Sequence, residues 1–92
     1  MPHLNPPEIL DQALVDASEK VEVGAYYYHY KSPGKRYQVI DLAVLEANEE
    51  VAVLYRITDG ARPGTLWIRP LASFLEEVDV EGTMVPRFQK VS

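Results

Sequence analysis

The chain has 92 residues, 47% of them hydrophobic and 25% charged, which is the composition of one ordinary globular domain and excludes a disordered or fibrous protein. Nine basic against fourteen acidic residues give a formal net charge of −5, which repels phosphate backbones at long range and disfavours non-specific DNA binding. The absence of cysteine excludes disulfides and thiolate-held metals and fits a reducing, cytoplasmic setting.

The amino-terminal Met1-Pro2-His3-Leu4-Asn5-Pro6-Pro7 carries neither a basic segment nor an apolar run, and no stretch reaches eighteen apolar residues, so neither export nor membrane spanning is expected. Asn5-Pro6-Pro7-Glu8 reads as a helix start, with Asn5 capping, Pro6 at the first helical position and Glu8 completing a capping box. A helix from about Pro6 to Lys20 follows. Ile9, Leu10, Ala13, Leu14, Ala17 and Val21 recur at spacings of three and four and form one apolar stripe, which predicts docking on the rest of the domain.

Gly24 ends that pattern, and strands follow. Ala25 to Lys31 has β preference and alternation sends Tyr26, Tyr28 and Tyr30 to one face and Tyr27, His29 and Lys31 to the other. Ser32-Pro33-Gly34-Lys35 reads as a turn. Arg36 to Glu46 reads as a long strand with apolar residues on both faces at its middle, as in a central or curved strand. Val51 to Thr58 alternates as a half-buried strand, Asp59 to Gly64 is a loop, Thr65 to Arg69 is a short strand stopped by Pro70, and Leu71 to Phe74 is a single helical turn. Val78-Asp79-Val80 and Thr83-Met84-Val85 flank Glu81-Gly82 as a hairpin. The expected architecture is mainly β: a small, partly open barrel of five or six strands, residues 24–92, with an amphipathic helical arm, residues 1–23, packed against it.

The pieces Tyr28-His29-Tyr30-Lys31, Tyr37-x-Val39, Tyr55-Arg56, Leu66-Trp67-Ile68-Arg69-Pro70, Phe74-x-Glu76 and Gly82-x-x-Val85-Pro86-Arg87-Phe88 resemble the short bacterial family known as domain of unknown function 1653. The resemblance spans about Ala25 to Phe88 and implies a compact SH3-like β domain of the bacterial cytoplasm, with no activity attached to it. Two departures stand out: Ser32 to Lys35 is longer than the family's usual turn, and Asp59 to Gly64 is expanded. The helical arm lies outside the resemblance.

No nucleophile–base pair, metal-ligand cluster or phosphate loop stands out, so no catalytic residue, metal or cofactor is assigned. His29 has the ordinary pKa of a proton carrier, but a structural hydrogen-bonding role between strands is the favoured reading. Asp41 interrupts an apolar strand, and an inward-pointing side chain there requires a donor such as Arg56 or Arg69. Tyr37, Phe74 and Trp67 are the natural core aromatics. Tyr28, Tyr30, Tyr55 and Phe88 are the candidates for an exposed aromatic patch, with Lys31, Arg56, Arg69 and Arg87 at its rim and His29 beside it. The resulting reading is a non-enzymatic recognition module for an anionic or planar ligand: a nucleotide, RNA or a peptide carboxylate. The alternatives are a small enzyme using His29 with neighbouring tyrosines as acid–base groups, or a structural adaptor acting through the helix. A competing account of the arginines is that they brace the fold by pairing with Asp41, Glu76 and Glu77. The expected oligomeric state is a monomer or weak homodimer.

Overall fold

The computed structural model describes residues 5–58 and 64–91; His3 and most of the expected loop, residues 59–63, lie outside them. In chain order the elements are α1 (Pro7–Ser18), β1 (Tyr26–His29), β2 (Ser32–Val44), β3 (Val51–Ile57), β4 (Leu66–Pro70), α2 (Leu71–Phe74), β5 (Glu77–Val80), β6 (Thr83–Pro86) and β7 (Phe88–Lys90). Strands dominate, as the alternation predicts. All pairings are antiparallel: one five-stranded sheet runs β4-β3-β2-β1-β7, and β5 and β6 form a separate hairpin. The expected five or six strands are seven among the described residues, and β4 and β7 are sheet edges rather than partners, so no closed barrel forms.

Local chemistry explains several departures. Ser32 to Lys35 is not the turn: His29 pairs with Ser32, so the chain reverses over Tyr30-Lys31 and the expected turn residues open β2. Pro33 is tolerated because it lies near the beginning of that strand, between the His29–Ser32 and Tyr27–Tyr37 pairs of the β1–β2 ladder. The helix starts at Pro7 with Pro6 at its N-cap position and no side-chain cap. Asn5 is engaged elsewhere, donating its backbone N–H and Nδ2 to Glu49 Oε1 at 2.8 and 3.1 Å, which fastens the arm to the β2–β3 turn.

The helix docks through the predicted stripe, with one exception. Ala17 and Val21 are buried and Leu10, Ala13 and Leu14 half-buried, whereas Ile9 stays 55% exposed. Beyond the helix, Glu22 accepts from Lys90 Nζ at 2.8 Å and its backbone N–H donates to Tyr27 Oη at 3.0 Å, so the arm is tied to β1 and β7.

Asp41 does not point inward. It is exposed, and its Oδ1 accepts the backbone N–H of Leu42 at 2.8 Å, beside a bulge that sets Val39 opposite Tyr55 but Asp41 opposite Leu54. The extra residue, Ile40, shifts the alternation so that Val39 in the first half of β2 and Leu42 in the second half serve the same core. That core comprises Val21, Ala25, Tyr27, Val39, Val53, Tyr55, Phe74 and Phe88, with Tyr37, Leu42 and Leu71 against it. Phe74 and Phe88 stack with ring centroids 4.3 Å apart and planes 4° from parallel, and Tyr27 and Tyr55 meet the Phe74 ring at 5.4 and 5.9 Å. Phe74 is core as expected. Trp67 is not: β4 is an edge strand, and its Leu66, Trp67 and Ile68 are all exposed.

Candidate functional site

Three neighbouring strands build a groove of about 730 Å³ on the core face of the sheet. Register explains its lining. Tyr37 lies opposite Ile57 and Tyr55 opposite Trp67, so alternation delivers Lys35 and Tyr37 from β2, Tyr55 and Ile57 from β3, and Thr65, Trp67 and Arg69 from the β4 side to one surface. β3 supplies the floor and the other two strands the walls. Tyr55 is itself buried, packed edge-on to Tyr37 at 5.7 Å, whereas Trp67 is 53% exposed and presents its indole to the groove.

Arg69 ends the groove and is held by neutral partners. Its Nη1 donates to Ser73 Oγ at 2.9 Å, its Nε lies 3.5 Å from Tyr55 Oη, and its guanidinium sits 5.3 Å from the Phe88 ring centroid. Pro70 follows at the junction of β4 and α2, so the short helix that carries Ser73 begins at once and brings the hydroxyl back over the strand. Among the described residues no carboxylate pairs with Arg69 or Lys35, and none lines the groove. Such a charge, fixed in direction and lacking a carboxylate partner, favours a charge-assisted bond to an anion.

A cationic cluster continues from Arg69 past Phe88. His29 meets the Phe88 ring edge-on at 5.0 Å and the Tyr30 ring at 4.7 Å. Its Nδ1 accepts the Lys31 backbone N–H at 3.1 Å, so the neutral imidazole carries its proton on Nε2. Burial, and then the charges of Arg69, Arg87 and Lys31, hold its pKa below the ordinary histidine value. Arg87 is braced at 3.1 Å by Glu76, whose carbonyl also accepts the Arg87 backbone N–H at 2.9 Å.

The nine residues singled out from sequence therefore divide among four places. Tyr55 and Arg69 line the groove, and His29, Lys31, Arg87 and Phe88 gather at its Arg69 end. Tyr28 and Tyr30 line a different, smaller groove of about 330 Å³ with Val80, Val85, Pro86 and Gln89. Arg56 stands apart, because its place next to Tyr55 on β3 sends it to the opposite face, between Gln38 and Leu66. Tyr55 and Phe88 are not exposed; each is 7% accessible, because the Phe74–Phe88 stack needs Tyr55 along its side. Lys35, Tyr37, Ile57, Thr65 and Trp67 were the groove residues that composition alone did not single out. Their common parity on adjacent strands was the available signal, and it acquires meaning only once strand register is known. The described residues hold no cluster of His, Asp and Glu arranged for a metal ion, and no helix is long and apolar enough to cross a membrane.

Comparison with known proteins agrees with this geometry at the level of the fold. No curated protein matches the chain significantly. Among solved structures, the crystal structure of a protein of the same family from Bordetella bronchiseptica is similar, with 35% identity and a TM-score of 0.62 over 74% of this chain and 85% of that one. Residues 25–90, which hold the whole of both sheets but not the helical arm, match the model of a family described as protein of unknown function (DUF1653), and the chain belongs to that family.

Proposed function

We propose that this protein is a non-enzymatic recognition module of SH3-like build whose β2–β3–β4 groove receives an anionic ligand with a planar portion. The observation that supports this reading is the pairing, in one groove that no acidic side chain lines among the described residues, of a half-exposed tryptophan with an arginine that none of those residues' carboxylates pairs with. A guanidinium fixed by neutral partners, with no carboxylate paired to it among the described residues, suits a ligand that brings the carboxylate or phosphate itself. The planar part would lie on Trp67 and Tyr37, since flat π systems stack on aromatic faces at little entropic cost.

Trp67 is the only tryptophan in the chain, so its fluorescence reports directly on the groove. Titration with nucleoside monophosphates, short oligonucleotides and aromatic peptide carboxylates should quench it, and inorganic phosphate alone should not. Arg69→Gln should weaken the best ligand by about ten- to a hundredfold, the value of one charge-assisted hydrogen bond. A panel in which no planar anion changes the fluorescence refutes the reading.

A further inference from the structure

Among the described residues the groove has two cations, and they are far apart along the sheet. Arg69 lies in register with Val53, whereas Lys35 lies two residues beyond Tyr37, which pairs with Ile57. The interval from residue 53 to the register of Lys35 is about six strand rises of ~3.3 Å, so the two positions are separated by about 20 Å. Between them lie Trp67, Tyr37, Ile57 and Thr65, with Tyr55 buried beneath. A mononucleotide has one base and one phosphate group, and it reaches one of these ends at a time.

We propose, resting on the reading of this groove as a site for planar anions, that its ligand is a short single strand of nucleic acid laid along β3 from Lys35 to Arg69. A strand stacked at ~3.4 Å per nucleotide fills this length with about six nucleotides, and one with its backbone extended fills it with about half as many. The end cations take phosphates and the aromatic walls take bases. This combination binds single strands with little regard to sequence. The net charge of −5 opposes long-range attraction of a duplex, but two local phosphate contacts with base stacking need no basic surface elsewhere. An acidic peptide also satisfies two cations; a single strand is favoured because the walls between them present two aromatic rings, Trp67 and Tyr37, on which bases can stack.

Quenching of Trp67 in the full chain decides the matter, using adenosine monophosphate, oligoadenylates of three and six nucleotides, and a glutamate-rich peptide with one tyrosine. The six-nucleotide strand should bind at least about tenfold more tightly than the monophosphate. Its log affinity should fall against log salt with a slope of about −1.4, two phosphates at −0.7 each for a single strand. Lys35 is exposed, so Lys35→Ala should leave the fold intact, bring the slope to about −0.7 and erase the preference for the longer strand. Equal affinity for monophosphate and hexanucleotide, unaffected by Lys35→Ala, overturns the single-strand proposal while leaving a planar-anion site. Binding of the peptide without the oligonucleotides overturns it in favour of a protein partner, and no quenching by any of them removes the site itself.

Discussion

Replacing Phe88 tests the whole arrangement, because one ring joins the core to the groove. Phe88 is 7% accessible, stacks on Phe74, borders Tyr37, Tyr55 and His29 at 6.0, 5.5 and 5.0 Å, and carries the Arg69 guanidinium at 5.3 Å. Truncating such a ring to alanine costs about 3 to 5 kcal/mol through lost transfer energy and the cavity left behind. At ~0.05 to 0.15 kcal/mol per residue the whole domain has about 5 to 14 kcal/mol to lose. Phe88→Ala should therefore lower the melting temperature by about 12 to 40 °C, at roughly 4 to 8 °C per kcal/mol for a domain of this size. Trp67→Ala, on an exposed edge strand, should cost less than about 1 kcal/mol. A cycle built from Phe74→Leu and Phe88→Leu should return a coupling of about 0.5 to 1.5 kcal/mol from the stacked pair. Thermal and urea denaturation followed by circular dichroism measure the melting temperature and the two free energies. If Phe88→Ala melts within a few degrees of the parent while Trp67→Ala unfolds the protein, the assignment of one ring to the core and the other to the groove is wrong.

Further outcomes follow from other parts of the molecule. Removing residues 1–22 exposes the pocket of Val21 and breaks the ties to Glu49 and Lys90, and should cost at least about 2 kcal/mol; an unchanged unfolding midpoint with a monomeric sedimentation profile contradicts docking of the arm. The lowered pKa of His29 means that the unfolded chain takes up the proton first. Its contribution to stability is thus complete above the unfolded value of about 6.5 and declines as pH falls through it, so melting temperature should drop from about pH 7.5 to 5.5 and His29→Gln should flatten that profile. In the β5–β6 hairpin the two turn residues, Glu81 and Gly82, both have positive φ, 52° and 87°. Glu81→Asn supplies the Asn-Gly pair such turns prefer and should add about 0.5 kcal/mol, seen as a rise in melting temperature; a fall rejects the turn assignment.

Sequence reading reached the elements more readily than their partners. Alternation in Val51–Ile57, the glycine at position 82 and Pro70 after Arg69 identify a strand, a hairpin and a strand end from purely local physics. Trp67 lies outside the core although its sequence context suggests burial, because a large aromatic has the same local signature in an edge strand as in a central one and only its neighbours decide burial. Ser32 to Lys35 contains turn-forming residues, yet pairing of His29 with Ser32 outweighs their preference. The site suffered most. Tyr55 and Arg56 are adjacent in the chain and lie on opposite faces, whereas Lys35, Tyr55 and Arg69 are dispersed along it and line one groove. β7, at three residues, is too short for its period to be recognisable in the sequence.

The bulge at Ile40 has an evolutionary consequence. By absorbing one residue it lets a single strand address two clients: the segment before it furnishes a wall of the groove, and the segment after it carries Leu42, which borders the helical arm. A deletion of one codon there would turn one half of the strand inside out while leaving the other half untouched. Length changes at this point must be compensated close by, whereas substitutions on the two sides are free to diverge independently. A change in the arm therefore leaves the phase of the residues that line the groove as it is.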